Sequence, residues 1–218
     1  MTETIKLAVS SPVQVGGNIL TSEQLAIIAM AAGPEGSVEV TPFRQIYVEV
    51  PLADQKHVEE QLVKGGMEVY PAGAVIKGLI ACQFCNGAEA AGLNTARALN
   101  LAVAGIETPA PLKIGYAGCA LGTSEPLLKD ISVVKMKDRF SIYAGGEPKG
   151  IKTAIAELLI AELEESQIIP IILRIIDFYK SNAKGKEKFS KFMRRMTVDR
   201  MRDIAGLTTL GDNELIVY

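Results

Sequence analysis

The stretch "SVEVTPFRQIYVEVPLADQKHVEEQLVKGG", residues 37–66, decides how the amino-terminal part of the chain is read. Its first half holds two runs rich in Val, Ile and Tyr over 37–50, which suit neighbouring strands. Its second half changes period. Val58, Leu62 and Val63 recur at helical spacing over 53–66, and paired glycines end the run. Outward from this centre, "IKLAV" at 5–9 suits a strand. "TSEQLAIIAMAAG" at 21–33 suits a helix, with Thr21 and Gln24 spaced for a capping box and Gly33 as its stop. A short strand near "MEVYP" completes the order β-α-β-β-α-β, a ferredoxin-like half over residues 1–74.

The rest divides in two. Residues 75–150 mix strand-like runs ("VIKGLIA", "LKIGYAG", "ISVVK", "FSIYAGG") with a helix near 88–104. From Ile151 to the end at 218 the spacing predicts helices at 151–163, 167–181, 186–195 and 197–205, broken at Ser166, Gly185 and Thr197. Neither an internal repeat nor a low-complexity linker separates these regions. The expected class is α+β: a ferredoxin-like half packed on a mixed α/β half, with a helical carboxy-terminal extension, all sharing one core.

Composition narrows the function. At 218 residues and 48% hydrophobic content the chain can bury a substantial core. Its net charge of −2 supplies no global field toward nucleic acid or an anionic membrane, and neither is expected as a partner. "MTETIKLAVS" lacks a basic region followed by an apolar run, so a cytoplasmic location is expected. "IIPIILRIIDFY" at 168–179 is interrupted by Pro170, Arg174 and Asp177 and is too short to span a bilayer, which makes it a buried helix.

The chemistry-bearing residues cluster in the middle region, which holds all three cysteines. "CQFC" puts Cys82 and Cys85 on one loop after an apolar strand, and Cys119 follows a second strand. Thiolates at the ends of adjacent strands can converge on an iron–sulfur cluster. The same pattern serves zinc sites, redox pairs and buried thiols, and spacing alone leaves these open. His57 is the only histidine and lies on a polar helix face where a solvated ring is expected, which argues against a Ser-His-Asp triad and excludes a multi-histidine metal site. "YAGGEPKGI" at 143–151 reads as a strand, two glycines and the start of a helix, so its backbone N–H groups could meet an anion. The basic run 180–196, with Phe189 and Phe192 interleaved, reads as an amphipathic helix.

Taken in order, "GGNILTSEQLAIIAMAA" (16–32), "VEVTPFRQIYVEV" (38–50), "VIKGLIACQFC" (75–85), "LKIGYAGC" (112–119), "EPLLKDISVV" (125–134), "IYAGGEPKG" (142–150) and "AKGKEKFSKFMRRM" (183–196) resemble the small sirohaem-containing nitrite and sulfite reductases. The resemblance implies a ferredoxin-like half joined to a half that binds a 4Fe–4S cluster coupled to sirohaem. It also implies reduction of a small oxyanion, sulfite or nitrite. Electrons would come from an external donor protein, ferredoxin-like or a reductase subunit. Cys82, Cys85 and Cys119 match three of the family's four cluster ligands, and the position of the thiolate that bridges to the haem iron falls on Thr123. A hydroxyl cannot replace that thiolate equivalently, which points to a 3Fe–4S cluster or a non-cysteine fourth ligand. Arg44 and Lys113 match residues that neutralise the anion and Lys77 stands where the family usually has arginine for the same role, while Pro111 takes the place of a further lysine. Gly145, Gly146 and Lys149 match a loop that holds the carboxylates of sirohaem. These departures keep a second expectation alongside: a non-catalytic protein that binds a tetrapyrrole or cluster through a degenerate reductase site. A metal-free module interacting through its basic helix is the third.

Overall fold

The computed structural model describes residues 3–41, 45–151, 153–210 and 214–217. Its first layer is a four-stranded antiparallel sheet of β1 (Thr4–Ser10), β2 (Val38–Val40), β3 (Ile46–Pro51) and β4 (Glu68–Pro71), in the order β2-β3-β1-β4. Two helices, α1 (Ser22–Ala32) and α2 (Gln55–Lys64), complete the expected ferredoxin-like half. The Thr21 side chain accepts from the Gln24 N–H while the Gln24 side chain accepts from the Thr21 N–H, so the capping box forms as the sequence predicts. Alternate residues Leu7 and Val9, with Val48 and Val50, face Ile28, Val58 and Leu62 across the buried side. Val63 instead stands exposed: its neighbour Leu62 already occupies the inward stripe, and α2 buries only that residue and Val58.

The second layer is a five-stranded sheet in the order β5-β6-β7-β8-β9. Its strands are β5 (Ile80–Ala81), β6 (Ile114–Ala117), β7 (Ile131–Met136), β8 (Arg139–Ala144) and β9 (Glu157–Leu163). β5, β6 and β7 run parallel, whereas β8 and β9 are antiparallel to their neighbours. The helices are α3 (Leu93–Val103), α4 (Glu165–Asn182), α5 (Phe189–Met196) and α6 (Val198–Ile204). Ile114, Tyr116, Ile131, Val133 and Ile142 share a single core with Leu99, Val103, Ile168, Ile172 and Ile175. Their near-complete burial identifies α4 as the internal helix expected from "IIPIILRIIDFY". Among the described residues no helix is long and apolar enough to cross a membrane.

Four local expectations are corrected. Residues 157–163 form an edge strand, not a helix. "ELLIAEL" is built from good helix formers, but antiparallel pairing with β8 puts Leu159, Ile160 and Leu163 in the core and overrides that propensity. Ser166 does not break a helix. It lies in the first turn of α4, whose capping box comes from Glu164 and Gln167. Residues 207–210 and 214–217 pair as a hairpin, β10 and β11, so the carboxy-terminal region is not wholly helical. Finally, "GGEPKG" opens no helix: Glu147 makes an isolated bridge to Ala154, and the chain goes on into β9.

Candidate anion cleft and thiol loops

Parallel strands gather the residues that precede them at one end of a sheet. Lys77 lies ahead of β5, Lys113 immediately before β6 and Asp130 immediately before β7. β8 runs the other way, so the loop after it returns to that same end with Glu147 and Lys149. Lys188, the N-cap of α5, approaches from the helical side, and Gln45 and Tyr47 approach from the first sheet. Together these residues line a cleft of about 280 Å³ between the two sheets. Lys77 and Lys113 therefore line one cleft. Arg44 falls outside the described residues, next to Gln45 in the sequence.

The cleft is polar and internally braced. Lys77 is buried and donates from Nζ to the Gly73 carbonyl at 2.7 Å. Burial, helped by the charge of Lys113, lowers its pKa below the ordinary lysine value. Asp130 is also buried, and its Oδ2 accepts from the Lys113 backbone N–H at 2.8 Å. Burial pushes this carboxyl up to about 6 despite the opposing pull of Lys113. Burial acts to raise Glu147 too, but Lys188 Nζ at 3.1 Å and the Lys149 N–H at 3.2 Å outweigh it and leave the group below its ordinary value. Among the described residues four lysines face two carboxylates, so the lining favours an anion.

Gly145 and Gly146 serve this end of the fold in a way the sequence did not disclose. Their N–H groups are taken by the carbonyls of Asp130 at 2.8 Å and Lys129 at 3.1 Å. A Cβ on Gly146 would stand 2.5 Å from the Lys129 oxygen, so the second glycine permits a close backbone approach. Asp130, Glu147 and Lys188 were not singled out from the sequence. For Asp130 the available signal was an acidic residue placed directly before the apolar run "ISVV".

The thiols occupy the opposite end of the parallel strands. Cys82 follows β5, and its buried Sγ accepts from the Gly118 N–H at 3.2 Å. Cys119 follows β6, is half-buried and lines a groove with Asn86, Lys135 and Arg139. Cys85 is exposed, within 3.9 Å of Asn86 Oδ1. Phe84 separates the pair: with φ +54° it turns into the core and stacks on Tyr116 at 5.9 Å, directing Cys82 inward and Cys85 outward. Thr123 is exposed, one residue before Ser124, whose hydroxyl donates to the Tyr116 carbonyl. Among the described residues no group of three or more Cys, His, Asp or Glu is placed to hold a metal ion.

Residues 77–210 match the nitrite and sulphite reductase 4Fe-4S domain, and the chain belongs to that family. It is 27% identical over 176 residues to a cobalt-factor III methyltransferase of Priestia megaterium, covering 81% of this chain and 32% of that protein. It is 28% identical over 98 residues to an assimilatory-type sulfite reductase of Nitratidesulfovibrio vulgaris, covering 45% of this chain and 44% of that one. The chain thus spans less than half the length of either relative. Among solved structures, dissimilatory sulfite reductase I superposes with a TM-score of 0.75 at 12% identity, covering 95% of this chain and 70% of the other. The NirA protein of Mycobacterium tuberculosis gives 0.66 at 9%, covering 93% and 39%. Both structural matches support the α+β fold.

The residues present do not fit a four-thiolate cluster bridged to a haem iron within this single chain. The chain has three cysteines in all, one short of four thiolates, and Thr123, which the resemblance sets at the bridging position, carries a hydroxyl that is not ionised near neutral pH. The lysine cleft and the thiols are also separated by the length of β6, four residues or about 13 Å at the usual rise of a strand.

Proposed function

We propose that this chain is an anion-binding domain of the nitrite and sulfite reductase family, and not a self-sufficient oxyanion reductase. Its cleft takes a singly charged oxygen anion, either a free oxyanion or a carboxylate arm of a tetrapyrrole. The cysteines serve an iron–sulfur centre only when a fourth ligand comes from outside the chain. The observation that carries this reading is the convergence of Lys77, Lys113, Lys149 and Lys188 on one cleft at the end of the sheet away from the thiols. The clustered ammonium groups suit a carboxylate-bearing ligand as well as a free oxyanion.

The test is calorimetric titration of anaerobically purified protein with nitrite and, separately, with propionate. Binding that weakens about tenfold or more in Lys77→Met/Lys113→Met supports the reading. Binding that is absent, or unchanged in the double variant, overturns it. A second reading, reduction of sulfite or nitrite, is favoured by Lys77, whose lowered proton affinity suits a proton donor beside a bound anion. Sirohaem and cluster bands in the optical spectrum, with anion consumption driven by a reduced dye, would establish it over the first.

A further inference from the structure

Resting on the cleft reading above, we infer that Asp130 couples anion binding to the uptake of one proton: a singly charged oxygen anion enters among the lysines as the Asp130 carboxylate takes a proton from solvent. The geometry supplies the coupling. Asp130 is buried, lines the same cleft as the four lysines and is fixed at two points, through Oδ2 to the Lys113 N–H and through its carbonyl to the Gly145 N–H at 2.8 Å. A carboxylate held in this position cannot swing away from an incoming anion. Two negative charges sharing one cleft repel, and the weaker acid relieves the repulsion by binding a proton.

The groups facing Asp130 decide which acid responds. Lys113 stands ahead of β6, Glu147 and Lys149 lie on the loop after β8, Lys188 caps α5, Lys77 lies ahead of β5 and Tyr179 projects from α4. Glu147 is held ionised by Lys188 and the Lys149 N–H. Tyr179 is a very weak acid there, pushed up to about 12 by burial first and then by the charge of Asp130. Asp130, pushed up to about 6, is the one carboxyl among these described residues poised near neutrality. Anion binding raises that value further. The expected consequence is binding that tightens roughly tenfold from about pH 8 to pH 6 and levels off below, where Asp130 is already protonated in both states.

The experiment titrates the intact chain with nitrite and with propionate, neither of which changes charge over about pH 6–8. Calorimetry in two buffers of different ionisation heat counts the protons absorbed. Wild-type protein should absorb roughly 0.6 of a proton at about pH 7, the uptake that a tenfold change over these two pH units requires. Asp130→Asn should absorb almost none and bind at pH 8 about as tightly as wild type at pH 6. Glu147→Gln should still absorb the proton. Response to nitrite alone assigns a free oxyanion, and response to propionate assigns a carboxylate arm. Binding that is pH-independent, or proton uptake retained in Asp130→Asn, overturns the coupling and leaves the cleft intact as an anion site. No binding of either anion at any pH overturns the cleft reading and the coupling together. The wild-type proton count decides the matter even if the Asn variant folds poorly.

Discussion

The Sγ of Cys82 accepts a hydrogen bond from the N–H of Gly118 at 3.2 Å, tying the first thiol loop to the residue before Cys119. That contact buries one thiol while Cys85, three residues on, faces solvent. Anaerobic alkylation should therefore modify Cys85 fastest, Cys119 next and Cys82 slowest, with about tenfold or more between the extremes because access limits the reaction. Peptide mass spectrometry over time reads the order. Cys82 reacting as fast as Cys85 would contradict the inward placement of its loop.

Glu187 and Arg195 make a second local device. The guanidinium donates to both carboxylate oxygens, at 3.1 and 2.6 Å, and the Lys184 N–H donates at 3.1 Å. The Arg195 hydrogen bond leads in holding the carboxyl at about 2, against an ordinary 4.5. A depressed folded-state value contributes stability that is complete above the unfolded value and is lost as pH falls through the folded one. Glu187→Gln should thus lower the melting temperature at pH values above 4.5, and the gap from wild type should close as pH approaches 2. A gap that stays constant down to pH 2 would show that the ionised pair is not the source.

Phe192 packs edge-on against Tyr179 at 5.0 Å and against Phe178 at 5.8 Å, and it is fully buried. Phe192→Ala should cost about 3–5 kcal/mol of folding stability, since neighbouring rings cannot collapse into the void. Lys191→Ala, on the exposed face of the same helix, should cost less than about 0.5 kcal/mol. Urea midpoints for the two variants check the amphipathic reading of 180–196. Similar losses in both would place the basic face, not the aromatic one, at the packing surface.

The sequence was most informative where a local rule and the tertiary fold agree. Thr21 and Gln24 specify α1 by capping chemistry alone, and Thr197 marks the junction of α5 and α6 because it serves as the end of one and the cap of the other. The misread segment 157–163 shows the converse. Its Ala, Glu and Leu content favours a helix, and only the partner strand β8, distant in type though near in sequence, makes it a strand. The cleft was legible as individual lysines, since charged residues next to apolar strands can be seen in one dimension. Asp130 and Glu147 were not, because their significance arises from burial and from the return of an antiparallel strand to the same sheet end.

Thr123 offers the most direct test of the incomplete thiol set. It follows the turn closed by the Gly122 N–H on the Cys119 carbonyl at 3.2 Å and stands exposed beside that loop. A hydroxyl there supplies no thiolate, so wild-type protein reconstituted anaerobically with iron and sulfide should retain little iron after desalting. Thr123→Cys adds a fourth sulfur donor at the position that the resemblance assigns to the bridging thiolate and should raise iron and sulfide per chain several-fold, with matching cluster absorption near the visible blue. The triple variant that also carries Cys82→Ser and Cys119→Ser should lose that gain, which separates a cluster from iron bound adventitiously to a new surface thiol. Equal iron in wild type and Thr123→Cys would mean that this turn does not reach the other thiols, and that any cluster takes its fourth ligand from outside the chain.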